Sequence, residues 1–436
     1  MSSRQATRRR RRMRLDSRRD AAADRAASQA ASQADCVGSV AVLADDLTSA
    51  GDGAAPFRRA GHRARAFLHT PETAGTARAP DIAEGVIAVD LGSRLLEEAE
   101  GVRRTERAAR SFAGAELLLK TVDSTLRGHF AAEIRAARAG SRRRAVVIAP
   151  AFPAEGRTTV RGVQHLRGVP VHDTDFARDP AHPVRTSDLR NLLPEADVVE
   201  PDKLGRLPEL IGKGGLFVCS AATDADLDRL VSSAPRPRDV LWVGSPGLAA
   251  ALARRHPRTP ATAPPRLPAV HRPLIAVGSA HPASRRQLES LRARQDVACA
   301  DSDDPTAAID VLRRTSAPIL VVHTPDGRRA PAPSDTLTRD LARVVWGLAA
   351  DGAVDGLVLT GGETAVTVLE ALGAAGIELY DEPEPGVARG LLIGPPGIPV
   401  LIKAGGFGDR ATLDRLGRLL TEGGTEHTDE QAGGDA

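Results

Sequence analysis

The chain has 436 residues, enough for two domains or one large one, and 42% of them are hydrophobic, enough for ordinary globular cores. Aromatics are only 3%, so an aromatic stacking platform for nucleic acid is excluded and the cores must be built from Leu, Val, Ile and Ala. The net charge of +3 misleads, because residues 1–35 alone carry ten Arg and four Asp, a net +6, which leaves −3 for the rest.

Residues 1–35, rich in Arg, Ala, Ser and Gln without a hydrophobic stripe, are expected to be disordered. An over-called start, with Met13 as the second candidate, or a nucleic-acid-binding arm are the other readings. No apolar core follows the arginines, so this is not a secretory signal. No apolar run in the sequence reaches the roughly 18–20 residues of a membrane span. Cys36, Cys219 and Cys299 lie far apart with no CxxC, so neither zinc nor a disulfide framework is indicated and a reducing, cytoplasmic setting is expected.

The first predicted strand is Ser39–Ala44, followed by a helix through Gly53 to Ala60. Residues 86–90, 117–120 and 145–149 are further apolar strands separated by helical stretches. Residues 254–272 hold five prolines and mark the expected linker. A new pattern follows, with strands at 273–277, 319–322, 356–360 and 400–402. Residues 422–436, Gly-rich and acidic, are expected to be a frayed tail. Short apolar strands alternating with helices predict an α/β fold: two α/β domains with mostly parallel sheets, 36–253 and 273–421, and an active site in the cleft between them.

Three strand-end loops in the second half have the character of phosphate sites. Gly361, Gly362, Glu363 and Thr364 follow one strand and open a helix, a geometry that presents free backbone N–H groups to an anion. Lys403, Ala404, Gly405, Gly406 and Phe407 follow the last strand. Ser279 follows 273–277, placed to donate to a phosphate or to cap the next helix. None of these is a Walker A loop or a GxGxxG fingerprint, which argues against a dinucleotide enzyme. Plain tight turns are the alternative for each loop alone; their convergence at strand ends of one domain is the informative feature.

The first half concentrates polar side chains at strand ends. Asp45 and Asp46 follow the first strand, adjacent carboxylates suited to bind or deprotonate a hydroxyl, with helix capping by Asp46 as the plain alternative. Arg94 follows 86–90. Lys120, Thr121, Val122, Asp123, Ser124 and Arg127 crowd into one stretch, mixing a carboxylate-binding fork with hydroxyl-binding groups. Arg157 is a second candidate anion contact or a surface arginine. His129, His165, His172 and His182 have no metal spacing and are expected to be structural or rim residues, and Asp179–Pro183 to border the site. Only four of the 59 basic residues are lysine, and two of these, Lys120 and Lys403, fall within these motifs, where a compact ammonium is of use.

Taken together, the motifs resemble the four-carbon acid sugar kinase family across about residues 39–420. The matching stretches are Leu43-Ala-Asp-Asp-Leu-Thr48, Lys120 with Asp123-Ser-Thr-Leu-Arg-Gly128, Ala149-Pro-Ala-Phe-Pro153, Gly156-Arg-Thr-Thr159, Gly168-Val-Pro-Val171, Phe176-Ala-Arg-Asp-Pro180, Val243-Gly-Ser-Pro-Gly-Leu248, Val277-Gly-Ser279, Thr360-Gly-Gly-Glu-Thr-Ala365, Pro385-Gly386 and Lys403-Ala-Gly-Gly-Phe-Gly408. The resemblance implies ATP-dependent phosphorylation, with Mg²⁺, of the 4-hydroxyl of D-threonate, D-erythronate or a 3-oxo-tetronate. It places Asp45 or Asp46, Arg94 and Lys120–Asp123 against the acid sugar, and Ser279, Gly361–Thr364 and Ala404–Phe407 against ATP. On this reading Arg94, Arg127 or Lys120 neutralises the substrate carboxylate and Asp45 or Asp46 is the catalytic carboxylate. The residues that would hold the metal are unknown from sequence. The form of the last glycine loop leans towards threonate or erythronate. Ser49, Thr121, Leu91-Gly92 and His129 depart from the usual family residues, and all lie in the substrate half. The expected partners are a small-molecule sugar acid and ATP, with no nucleic acid and no membrane, and a homo-oligomer is left open. A non-catalytic sugar-acid-binding regulatory protein is the rival class.

Overall fold

The apolar runs form strands buried on both faces, the pattern of a parallel sheet covered by helices on each side. The computed structural model describes residues 38–68, 85–179, 182–234, 236–258, 267–325 and 334–422. The expected tail 1–35, residues 423–436 of the expected tail 422–436, and residues 259–266 of the expected linker lie outside them.

The N-terminal half supplies β1 (Ser39–Ala44), β2 (Ala64–Leu68), β3 (Gly85–Asp90), β4 (Leu117–Thr121) and β5 (Ala145–Ala149). A small antiparallel sheet of β6 (Arg157–Val160), β7 (Val163–Leu166) and β8 (Val169–Pro170) follows, then β9 (Ala196–Val199), β10 (Gly215–Cys219) and β11 (Val240–Gly244). The C-terminal half supplies β12 (Pro273–Val277), β13 (Val297–Asp301), β14 (Ile319–His323), β15 (Gly356–Thr360), β16 (Gly376–Glu384), β17 (Val387–Ile393) and β18 (Pro399–Lys403).

The two sets of strands do not stay apart. Fifteen strands bond in the order β13-β14-β12-β15-β18-β17-β16-β2-β3-β1-β4-β11-β5-β10-β9. Each half is parallel, and the join is antiparallel: β16 and β17 form a hairpin whose β16 pairs with β2, Gly376 opposite Phe67 and Leu379 opposite Ala64. Gly376 permits this join, since a Cβ there would lie 2.1 Å from the Ala66 carbonyl oxygen. Alternate residues point to opposite faces. Val40, Val42 and Ala44 enter a core that continues under both halves, through Leu274, Leu357 and Val400, whereas Ala41 and Leu43 enter a core confined to the first half.

Helix Leu47–Arg59 follows β1 directly and is capped by Asp46, whose side chain accepts from Ser49 N at 2.7 Å. Its small residues let it lie tight on the sheet; a Cβ on Gly53 would be 2.7 Å from both Val42 and Thr121 side-chain carbons. This brings the helix's polar face to the join between the halves.

Candidate active site

The loops at the carboxyl ends of β1, β3, β4, β12, β15 and β18 open into one cleft of about 1930 Å³ spanning both halves. This is where parallel sheets bind ligands, because the strand-end loops converge there. Asp46, Arg94, Thr121, Val122, Asp123, Ser124, Arg127 and Arg157 line its first wall, and Ser279, Gly361, Gly362, Glu363, Thr364, Ala404, Gly405, Gly406 and Phe407 its second. Asp45, Lys120 and Lys403 are not on the wall but beneath it.

The first wall is built from paired charges. Arg94 donates from Nε to Asp45 Oδ2 at 2.8 Å and from Nη2 to Asp45 Oδ1 at 2.9 Å, bonds Asp46 through Nη1, and reaches Ser49 Oγ at 3.0 Å. Burial works against both charges in this pair, but each partner outweighs it: Asp45 is held below the usual carboxylate range, and Arg94 well above its ordinary value. Asp46 also caps Ser49 N and accepts from Thr48 Oγ1 at 2.9 Å. The fork expected to take a substrate carboxylate is therefore occupied by the protein's own carboxylates.

Asp123 accepts from Arg127 Nε and from Thr125 Oγ1, both at 2.5 Å. Burial opposes ionisation, yet Arg127 and Arg94 keep the Asp123 carboxyl far below its usual range. Arg127 stacks over Phe176 at 5.1 Å, with Asp179 Oδ2 at 3.5 Å from Nη1, which puts Asp179 on the cleft wall. Arg157 is less committed. Among the described residues its side chain bonds only Ser124 Oγ, at 2.9 Å, and its buried Nε has no partner; its guanidinium lies 5.9 Å from the Phe407 ring of the opposite wall. Burial lowers its pKa, so an arriving anion would relieve a desolvated cation.

Lys120 is fully buried and pairs with Glu133 at 2.8 Å, while its Nζ also donates to the Thr121 carbonyl at 2.8 Å. An ammonium so enclosed is not on the cleft wall; its contacts tie the end of β4 to the helix that carries Glu133. The four histidines singled out in sequence are not on the wall. His129 and His182 stack edge to face at 5.3 Å and bond the Leu96 and Arg94 carbonyls, His165 the Val163 carbonyl, and His172 Ser187 Oγ.

The second wall is backbone. Gly361, with φ 100°, is the N-cap of helix Gly362–Ala371 and offers no side-chain cap to the N–H groups of its first turn. A Cβ on Gly278 would lie 2.0 Å from Thr364 Oγ1, and one on Gly405 would lie 2.3 Å from Ser279 Oγ, so the three loops meet only because these positions are glycine. The carbonyls of the last loop are tied back: Ala404 O and Phe407 O accept from Lys403 Nζ at 2.8 Å each, and Gly405 O from Ser284 Oγ at 2.7 Å. Among the described residues, the Gly405 and Gly406 N–H groups have no acceptor. Lys403 thus shapes an anion cradle from below, and burial brings its pKa down to about 8. Helix Pro282–Arg292 is capped by His281 and not by Ser279, whose Oγ accepts from His281 N at 3.2 Å.

The two walls touch. A Cβ on Gly362 would lie 3.7 Å from both Asp46 Oδ2 and Thr48 Cγ2. A pocket of hydroxyl-binding side chains thereby abuts a backbone anion cradle, the arrangement phosphoryl transfer requires. Among the described residues, no group of three or more His, Cys, Asp or Glu side chains could hold a metal by itself, and no helix is long and apolar enough to cross a membrane. Sequence reasoning missed Asp52, His281 and Arg285, all on the cleft wall. Asp52 had a readable signal, since it lies on the helical face of Thr48.

Residues 40–252 match the family described as a sugar-binding N-terminal domain, and residues 274–413 a nucleotide-binding C-terminal domain. A D-threonate kinase from Bordetella bronchiseptica is 36% identical over 406 residues, covering 88% of this chain and 98% of its own. This chain belongs to the four-carbon acid sugar kinase family. Other relatives are a D-erythronate kinase from Heliobacterium modesticaldum, 30% identical, and a 3-oxo-tetronate kinase from Methylobacterium radiotolerans, 28% identical, each matched over 88% of this chain and 98% of its own. A solved structure from Salmonella typhimurium LT2 has the same fold, with a TM-score of 0.71 at 21% identity over 86% of this chain and 98% of its own. As a family member the protein is a carbohydrate kinase acting on a four-carbon sugar acid with a nucleotide.

Proposed function

We propose that this kinase transfers the γ-phosphoryl group of ATP to the terminal 4-hydroxyl of D-threonate, with D-erythronate as the next candidate, in the cytoplasm. The observation that carries this reading is the contact of the two walls at Gly362, which sets the hydroxyl-binding pocket against the anion cradle. The choice of acid is supported by two relatives named D-threonate kinase at 36% and 34%, although a third is 29% identical, beside 30% for the erythronate kinase and 28% or less for the 3-oxo-tetronate kinases.

In this reading the triphosphate lies on the first turn of Gly362–Ala371 and on the Gly405 and Gly406 N–H groups. Arg157, whose Nε has no partner among the described residues, is a cleft cation able to meet the substrate carboxylate or the transferred phosphoryl group. The pair Arg94–Asp45 holds Asp46 in place. A Mg²⁺ ion needs only one or two protein carboxylates when phosphates supply other ligands, so the lack of a three-residue cluster is compatible with it. Glu363, on the wall beside the glycine loop, has the chemistry to hold such an ion. Its contribution would be to neutralise charge on the phosphates.

An ADP-release assay across a panel of tetronates and 3-oxo-tetronates tests the proposal. D-Threonate is expected to give the highest kcat/KM. Preference for a 3-oxo acid would move the assignment within the family, and inactivity on every four-carbon acid would remove it.

A further inference from the structure

The charge pairs of the first wall leave a question of chemistry. A carboxylate gripped by guanidinium is a weak base, because the charged form is the stabilised one. Asp46 is held by Arg94, by Ser49 N and by Thr48, and Asp123 by Arg127 and Thr125. Asp179 accepts from His182 N at 2.8 Å. Among the described residues, Asp52 is the half-buried cleft carboxyl for which no hydrogen bond or ion pair is formed.

Its position is as telling as its freedom. Asp52 follows Thr48 by one helical turn, so both side chains lie on one face of Leu47–Arg59. Thr48, together with Asp46, lies nearest the Gly362 end of the phosphate cradle. Asp52 therefore lies on the wall of the same cleft, one turn beyond the residues nearest the cradle. Around it are Asp46 at the start of its own helix, Arg94 after β3, Arg157 on β6 and Glu382 on β16. Burial is the main influence on its carboxyl, Glu382 and Asp46 add to it, and these together outweigh the two arginines, so its pKa stands well above the ordinary 3.8.

Resting on the kinase reading above, we propose that Asp52 is the general base of the reaction and that Asp46 is a positioning residue. The acceptor O–H bond breaks and its proton passes to an Asp52 carboxylate oxygen. The hydroxyl oxygen's electron pair forms the new bond to the γ-phosphorus. The bond from that phosphorus to the β–γ bridging oxygen breaks, and ADP leaves with the electron pair. Asp52 then releases the proton to solvent.

The test compares wild type, Asp52→Asn and Asp52→Glu from pH 5 to 9, with ATP and whichever tetronate the panel selects. Asp52→Asn should lower kcat by about a hundredfold or more, with the ATP KM within about threefold, and should abolish the fall in kcat at low pH. Asp52→Glu should keep part of the activity and the acid limb. A folding control has a signed expectation. A carboxyl whose folded pKa is raised loses stability as pH climbs from its ordinary value through the folded one, so Asp52 costs stability at neutral pH and Asp52→Asn should melt no lower than wild type at pH 8. Near-normal kcat with the acid limb intact would overturn the proposal. So would a variant that is inactive because it melts early or no longer binds a non-hydrolysable ATP analogue. Inactivity of the wild type on every acid would instead bring down the kinase reading itself, and the role of Asp52 with it.

Discussion

The two walls of the cleft solve the problem of holding polar groups in opposite ways. The sugar-acid wall uses side chains and cancels their charges locally, Arg94 against Asp45 and Asp46, Arg127 against Asp123, Lys120 against Glu133. The nucleotide wall uses backbone N–H groups presented by glycines, and its buried Lys403 is satisfied by carbonyls. The two lysines make the contrast sharp. Each stands at the end of a strand and donates to the carbonyl of the next residue at 2.8 Å, yet one has a buried counter-ion and the other has none among its hydrogen-bond partners. The lesson is that side-chain pairs fix a shape suited to one pattern of hydroxyls, whereas a backbone cradle fits any phosphate.

The largest expected effect breaks the first wall from beneath. Lys120→Met leaves Glu133 buried without its partner and should cost about 3–5 kcal/mol in urea denaturation, while Lys120→Met with Glu133→Leu should recover most of it. A stable Lys120→Met variant with a raised sugar-acid KM would instead restore Lys120 as a substrate contact. On the second wall, Gly278→Ala drives a Cβ into Thr364 Oγ1, 2.0 Å away, and should raise the ATP KM roughly tenfold while sparing the sugar-acid KM. Equal changes in both constants would show that the walls are not independent.

A smaller effect belongs to Asp46. Asp46→Asn keeps the helix cap but replaces a charged acceptor for Arg94, which should lower kcat roughly fivefold, the worth of about 1 kcal/mol, and leave the acid limb of the pH profile in place. Loss of that limb would make Asp46 the base. The smallest effect is a titration. With Lys403 at about 8 instead of the ordinary 10.5, the folded chain gives up this proton more readily than the unfolded one. Stability on this account therefore rises between those two values, while the cation beneath the phosphates is lost. The ATP KM should climb about two- to threefold from pH 7 to 9, and Lys403→Met should flatten that rise.

Much of this contrast was legible in the chain. Strand, glycine pair and helix at 356–371 announces a backbone cradle, because only those residues permit it. The polar clusters at 45–46 and 120–127 announce a wall of side chains. Their internal pairing was not legible, because Asp45 and Arg94 are joined by β1 and β3 lying side by side, and Lys120 meets Glu133 only once a helix folds back over β4. The cap of helix Pro282–Arg292 was also not legible: Ser279 was the residue open to that role, but the structure gives it to His281, whose ring nitrogen accepts from Ala283 N.

By itself, then, the sequence determined the parallel strands, the loops at their ends and the chemical character of each wall, since these follow from local apolar runs, glycine and charge. Only the tertiary structure decided which charges are spent on each other and which remain for a ligand. It also joined the halves, through the β16–β17 hairpin laid against β2, and so brought Asp46 and Thr48 close to Gly362 and put Asp52 on the wall of the shared cleft. Electrostatic pairing depends on distance in space, and distances between strands remote in sequence exist only after the sheet has closed.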